Sequence, residues 1–150
     1  MALTAALVVH RHADQPSGDP GGRIIAQLRP AVAALPPDAR VLYRNDVEPR
    51  WDSCDGRPST YGWDDVVVQV HFASATGPDA ILADADAVLT SQRWSSIPLA
   101  RMPDVVQQMW SKVITNGTTA KISLAEDQYG TNEWSLFASA PPQGQRVSGC

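Results

Sequence analysis

Asp64-Asp65-Val66-Val67-Val68-Gln69-Val70-His71-Phe72-Ala73 is the stretch on which the fold turns. Val66, Val68, Val70 and Phe72 alternate with Val67, Gln69 and His71, and a strand sends alternate side chains to opposite faces. One face is wholly apolar. The other becomes polar toward its end. This is a strand with one side on a core and the other toward water, the usual state of an antiparallel sheet covered on one side.

Upstream, Trp51 to Trp63 holds Cys54, two glycines, a proline and two of the five tryptophans. It reads as a tied-down connector between two strands. Arg40 to Val47 is the strand before it, with Val41, Tyr43 and Val47 on one parity, interrupted by Asn45. Before that, Asp19-Pro20 supplies a helix-start signal, an acceptor followed by a residue with preset φ. Ile24, Ile25, Leu28, Val32 and Leu35 then recur at helical spacing. Pro30 should kink this helix, and Pro36-Pro37 should end it.

Downstream, Thr76 and Asp79 resemble a capping box for a helix running to about Gln92. Ile81, Leu82, Ala85, Val88 and Leu89 form its apolar stripe, while Asp84, Asp86 and Ser91 lie on other faces. Trp94 closes it. Ser95 to Pro103 reads as irregular. Asn116-Gly117 is a hairpin signal. As a two-residue loop it would set Val113 against Ala120, with Met109, Val113, Ala120, Ile122 and Leu124 on one face and Trp110, Ile114 and Lys121 on the other. The last strand is Glu133 to Ala140, with Trp134, Leu136, Ala138 and Ala140 inward. The order predicts an α+β fold: a mostly antiparallel sheet of about five strands with two helices packed on one face.

A chain of 150 residues is sized for one domain with one core. Residues 1–22 read as a membrane-proximal segment and linker, and residues 23–150 as the folded domain. Met1 to Val9 is apolar except for Thr4, but too short to span a bilayer, which takes ~20 residues. It is expected to be the outer end of a transmembrane helix or signal anchor, a tether through the N-terminus; a native strand or helix start is the alternative. Net charge is -4 and lysine occurs only at Lys112 and Lys121. Nucleic acid is therefore excluded as a partner, because phosphate binding needs a basic patch.

The two cysteines, Cys54 and Cys150, are too far apart in sequence for a zinc or redox motif. They form either a long-range disulfide or two free thiols. The terminal position of Cys150 favours the disulfide, which implies an oxidising compartment. Closing a loop of about 97 residues would contribute roughly 4–5 kcal/mol in the chain-entropy model.

Chemical motifs are sparse. His10-Arg11-His12-Ala13-Asp14 could face two imidazoles to one metal, but a third histidine ligand is missing nearby. Asp52, Asp55, Asp64 and Asp65 could offer oxygens to calcium, yet their spacing is not that of an EF-hand and turn duties explain Asp52 and Asp55 equally. Cys54 with His71 is the one Cys/His pair to consider as nucleophile and base, and a disulfide would remove it. No phosphate loop or dinucleotide fingerprint occurs, so no cofactor and no metal are expected. The five tryptophans sit near element ends, as core-rim packing or, alternatively, a ligand platform.

Cys54-Asp55-Gly56, Gly62-Trp63 before a strand, Trp134-x-Leu136-x-Ala138-x-Ala140-Pro141-Pro142 and terminal Gly149-Cys150 resemble a group of uncharacterised, secreted or membrane-anchored actinobacterial proteins. The resemblance covers about the last two thirds of the chain. It implies an extracytoplasmic location and supports the disulfide, and it implies no reaction. The expected function is a non-catalytic cell-envelope binding or protein-interaction domain, engaging an unknown envelope protein or ligand through the sheet face away from the helices. Within the connecting loop, Asp55, Arg57 and Tyr61 are candidate contacts, joined by Trp63, Asp64 and His71. The alternative is a small envelope hydrolase or metal-dependent enzyme using the Asp52–Asp65 loop with His71.

Overall fold

The computed structural model describes residues 21–49, 51–53, 61–99, 105–114, 117–127 and 132–141, with the backbone alone described at 51–53 and 61–63. The fold is α+β, with one antiparallel six-stranded sheet and two helical segments. The elements run α1 (Gly22–Leu28), a 3₁₀ continuation (Arg29–Ala34), β1 (Arg40–Val47), β2 (Trp51–Ser53), β3 (Tyr61–Trp63), β4 (Val66–Ala73), α2 (Pro78–Ser91), β5 (Ser95–Ile97), β6 (Gln107–Val113), β7 (Thr119–Glu126) and β8 (Glu133–Ala140). The sheet order is β1-β4-β8-β7-β6-β5, and β2 pairs separately with β3.

The core lies between the helices and one face of the sheet. Val66, Val68 and Phe72 of β4 meet Leu136, Ala138 and Ala140 of β8, Ile122 and Leu124 of β7 and Trp110 of β6. From the helices come Ile24, Leu28, Ile81, Ala85 and Leu89, all 0% exposed. Strict alternation along β4 and β8 confirms the sequence pattern at both.

Several local expectations are corrected. The helix begins at Gly22 with Gly21 as N-cap, and Asp19 and Pro20 lie outside the described residues. Pro30 does not kink an α-helix; the chain changes to 3₁₀ winding over Arg29–Ala34. With about three residues per turn, positions three apart eclipse. Leu28, Ala31 and Ala34 are therefore the buried row, while Val32 and Leu35 are only partly buried.

The Thr76 cap is not formed. Gly77 is the N-cap of α2, with no side-chain cap bond. Thr76 instead donates its hydroxyl to Asp38 at 3.0 Å. The same carboxylate accepts Ser74 Oγ at 2.7 Å and the Ala75 amide at 2.8 Å. Asp38 thus ties the turn before β1 to the loop between β4 and α2. At its far end α2 stops in a Schellman motif: the Trp94 amide donates to Leu89 and the Arg93 amide to Thr90, with Arg93 at φ 68. Lys112 donates to the Gln92 carbonyl at 2.9 Å and lies over the Trp94 ring. A cation there suits the negative end of the helix dipole.

The hairpin between β6 and β7 differs by one residue from the two-residue reading. Val113 faces Thr119 and Trp110 faces Ile122. Ile114 donates to Thr118 across residues 115–117, and Gly117 has φ 76. This is a longer loop with glycine in the left-handed position. A one-residue slip exchanges every side chain between faces. Trp110 and Ile114 therefore enter the core with Ala120, Ile122 and Leu124, while Met109, Val113 and Lys121 face away. The burial of Trp110 decides between the registers energetically.

Ser95–Ile97, read as irregular, is an edge strand paired with β6. It raises the five expected strands to six. A β-bulge between Val41 and Tyr43 places these two residues on opposite faces rather than on one parity. The Trp51–Trp63 connector contains two short strands of its own. Trp51 faces Trp63, in the same register that sets Val47 against Val67. The first hairpin thus continues past the six-stranded sheet as a two-stranded ribbon.

Asp46 accepts hydrogen bonds from Arg44 and from Arg29 at 2.9 Å. Its carboxyl is held below the usual carboxylate range by Arg44 first and Arg29 second. Asp38 is lowered chiefly by the Ser74 hydroxyl. Depressed carboxylates stabilise above their unfolded pKa of about 3.9, and that contribution is lost as pH falls through the folded values. Urea titrations from neutral pH downward should therefore show stability falling below about pH 4. The joint replacement Asp38→Asn with Asp46→Asn should flatten that fall; an unchanged slope would assign it elsewhere.

Candidate functional site

Among the described residues, no helix packs on the sheet face turned away from α1 and α2. Its side chains follow from register. One row crosses Tyr43, His71, Ser135, Ala125 and Gln107; the next crosses Asn45, Gln69, Phe137, Ser123, Met109 and Ile97. A third crosses Val47, Val67, Ser139, Lys121, Ser111 and Ser95. Side chains directly opposite in antiparallel pairs share a face and touch.

Phe137 stands at the middle of this face with 40% of its surface exposed. It is flanked by Gln69 on β4 and Ser123 on β7. Much of its ring is covered, yet a large apolar area still faces water. Toward the β1 side, the Gln69 side-chain amide and His71 Nε2 lie 2.8 Å apart, within hydrogen-bond distance. The Tyr43 ring lies tilted against the His71 ring, centroids 6.1 Å apart. Toward the β6 side, Gln107 donates to the Ser123 hydroxyl at 2.8 Å. The surface is thus a lattice of serine, glutamine and asparagine interrupted by Phe137, Tyr43, Met109 and Val67. Its charged residues are Lys121, one row from Phe137 on the neighbouring strand β7, and Glu133 at the start of β8.

The structure disperses several of the sequence-derived candidates. His71 lies mid-strand on the open face, whereas exposed Asp64 and half-buried Asp65 precede the start of the same strand. At about 3.3 Å rise per residue, Asp65 and His71 are roughly 20 Å apart. Asp64, Asp65 and His71 therefore do not converge on one point. Among the described residues no group of three His, Cys, Asp or Glu converges on a common point. Tyr61 and Trp63 belong to β3, opposite Ser53 and Trp51. Cys54, Asp55, Arg57 and Cys150 lie outside the described residues, as do His10, His12 and Asp14. An open depression of about 480 Å³ lined by Asn45, Asp46, Val47, Glu48 and Pro49 marks the base of the ribbon. Its polar lining does not suit a small apolar ligand.

Trp94, Trp110 and Trp134 are core residues with 3%, 0% and 1% exposure, so none of these three is a ligand platform. Trp110 Nε1 donates to Asp86 at 2.7 Å, which gives Asp86 a partner where a merely solvated helix face was expected.

Phe137 was legible in principle. In the last strand Glu133, Ser135 and Ser139 share the outward parity, and a phenylalanine among them departs from that pattern. Met109 was hidden by the hairpin register.

No family model, curated protein or solved structure matches the chain. Function is accordingly argued from this surface alone. No helix among the described residues is long and apolar enough to cross a membrane.

Proposed function

We propose that the chain is a non-catalytic cell-envelope interaction domain whose open sheet face docks another protein. The observation that carries the reading is Phe137, 40% exposed at the centre of a six-stranded sheet. Around it lie neutral hydrogen-bonding side chains, with Tyr43 and Met109 within the same face. A broad sheet face suits a macromolecular surface better than a small molecule, which binds in concave sites. Gln69 and Ser123 directly beside Phe137 favour a partner patch with an apolar centre and donors and acceptors around it. The extracytoplasmic placement rests on the apolar Met1–Val9 run and on the Cys54–Cys150 pairing expected from the sequence.

Site-specific photo-cross-linking in the native envelope tests this. A photoreactive group at position 137 should give one discrete adduct, lost when Met109→Asp is added. The same group at exposed Asp84 on α2 should give none. Equal adducts from both positions, or an adduct at 137 insensitive to Met109→Asp, would overturn the docking face.

A further inference from the structure

We propose that β1 pairs with β1 of a second copy of this chain, joining two sheets edge to edge. The two edges of the sheet are unequal. β5 ends it with the short segment Ser95–Ile97, followed at once by Pro98. β1 is an edge of 8 residues, and Arg40–Arg44 are exposed along it. Val41, Leu42 and Tyr43 are 52%, 42% and 51% exposed. Among the described residues nothing pairs with the outer side of β1, which carries Val41, Leu42 and Tyr43 together with Arg40, Arg44 and Asp46 and offers backbone donors and acceptors to a further strand.

Charge selects the occupant and the register. Beyond the bulge, Tyr43–Val47 pairs regularly with β4 on its inner side. Two copies of this segment run antiparallel about a two-fold axis through Asn45 set Tyr43 against Val47 and Arg44 against Asp46, each twice. Arg44 and Asp46 share the helix-side face, opposite Val70 and Val68. They are already bonded within one chain at 3.1 Å. Across the axis the two arginines and two aspartates would alternate around a square, every neighbour of opposite sign. An axis through Arg44 would set that arginine against its own copy, and like charges directly opposite are unfavourable. A self-complementary strand identifies a second copy as the partner, and closed two-fold pairs are the commonest assembly. The joined sheets would place two open faces side by side, although the pairing does not depend on the docking function above.

The contact is small, near or below the ~1,200 Å² lower limit of stable interfaces, so association is expected to be weak. Sedimentation velocity on the full chain, up to ~1 mM, reads association at the weak end of the affinity scale. The mean mass should rise from 16.2 kDa toward twice that value with concentration. Arg44→Asp should abolish the rise while leaving the circular dichroism spectrum unchanged. Asn45→Cys should yield, under mild oxidation, a disulfide joining two copies at position 45, located by peptide mass spectrometry, and Tyr43→Cys should yield no such self-link. Monomeric behaviour throughout the range, or a dimer indifferent to Arg44→Asp and not linked at position 45, would overturn the proposal.

Discussion

Trp110→Ala should destabilise the domain by about 3–5 kcal/mol, the usual cost of removing a large aromatic from a packed core. The indole is fully buried, and its N–H bonds Asp86 of α2 at 2.7 Å. The substitution thus opens a cavity and strands a carboxylate acceptor at the same time. Met109→Ala, one residue earlier, should cost about 1 kcal/mol or less, because Met109 is only half-buried on the open face. Equilibrium unfolding in urea of the two variants reads the hairpin register directly. In the alternative register, with Asn116-Gly117 as the whole loop, the two effects would be exchanged.

Reducing the expected Cys54–Cys150 disulfide should lower stability by roughly 4–5 kcal/mol, since the loop it closes is nearly two thirds of the chain. Thiol counting under denaturing, non-reducing conditions should find no reactive thiol. After reduction two should appear, and the urea midpoint should fall sharply. Two free thiols in the untreated protein would remove both the disulfide and the oxidising-compartment argument that rests on it.

The parts of the fold legible in the sequence are those where one physical signal acts alone. Along β4 and β8 the period-two pattern is unbroken, and both strands lie where it placed them. The stripe Ile81, Ala85, Leu89 is likewise buried as its spacing predicts. The misread parts are those where signals compete. Asn116-Gly117 satisfies a two-residue turn, but burying Trp110 and Ile114 together favours the longer loop. Thr76 is a good cap by type, yet Asp38 offers its hydroxyl a carboxylate instead. The bulge beside Leu42 divides Val41 from Tyr43, and nothing local in Val41-Leu42-Tyr43 announces it. β5 is three residues long and owes its existence to β6.

The same distinction governs the site. The one-sided pattern of β4 marks which face of the sheet turns away from the helices. Phe137, central on that face, shows in the sequence only as a departure from the outward parity of Glu133, Ser135 and Ser139. Residue type alone marks the loop candidates, and the extension of β4 separates Asp64 and Asp65 from His71.

The most direct test of the docking face is the affinity of Phe137→Ser for the protein captured by cross-linking at that position. Ser123 and Ser139 already occupy the open face, so this change should leave the fold intact and lower stability only modestly. Truncating a central aromatic contact typically costs 2 kcal/mol or more of binding energy, so the dissociation constant should rise about 30-fold or more. An unchanged dissociation constant in a folded Phe137→Ser protein would contradict the account.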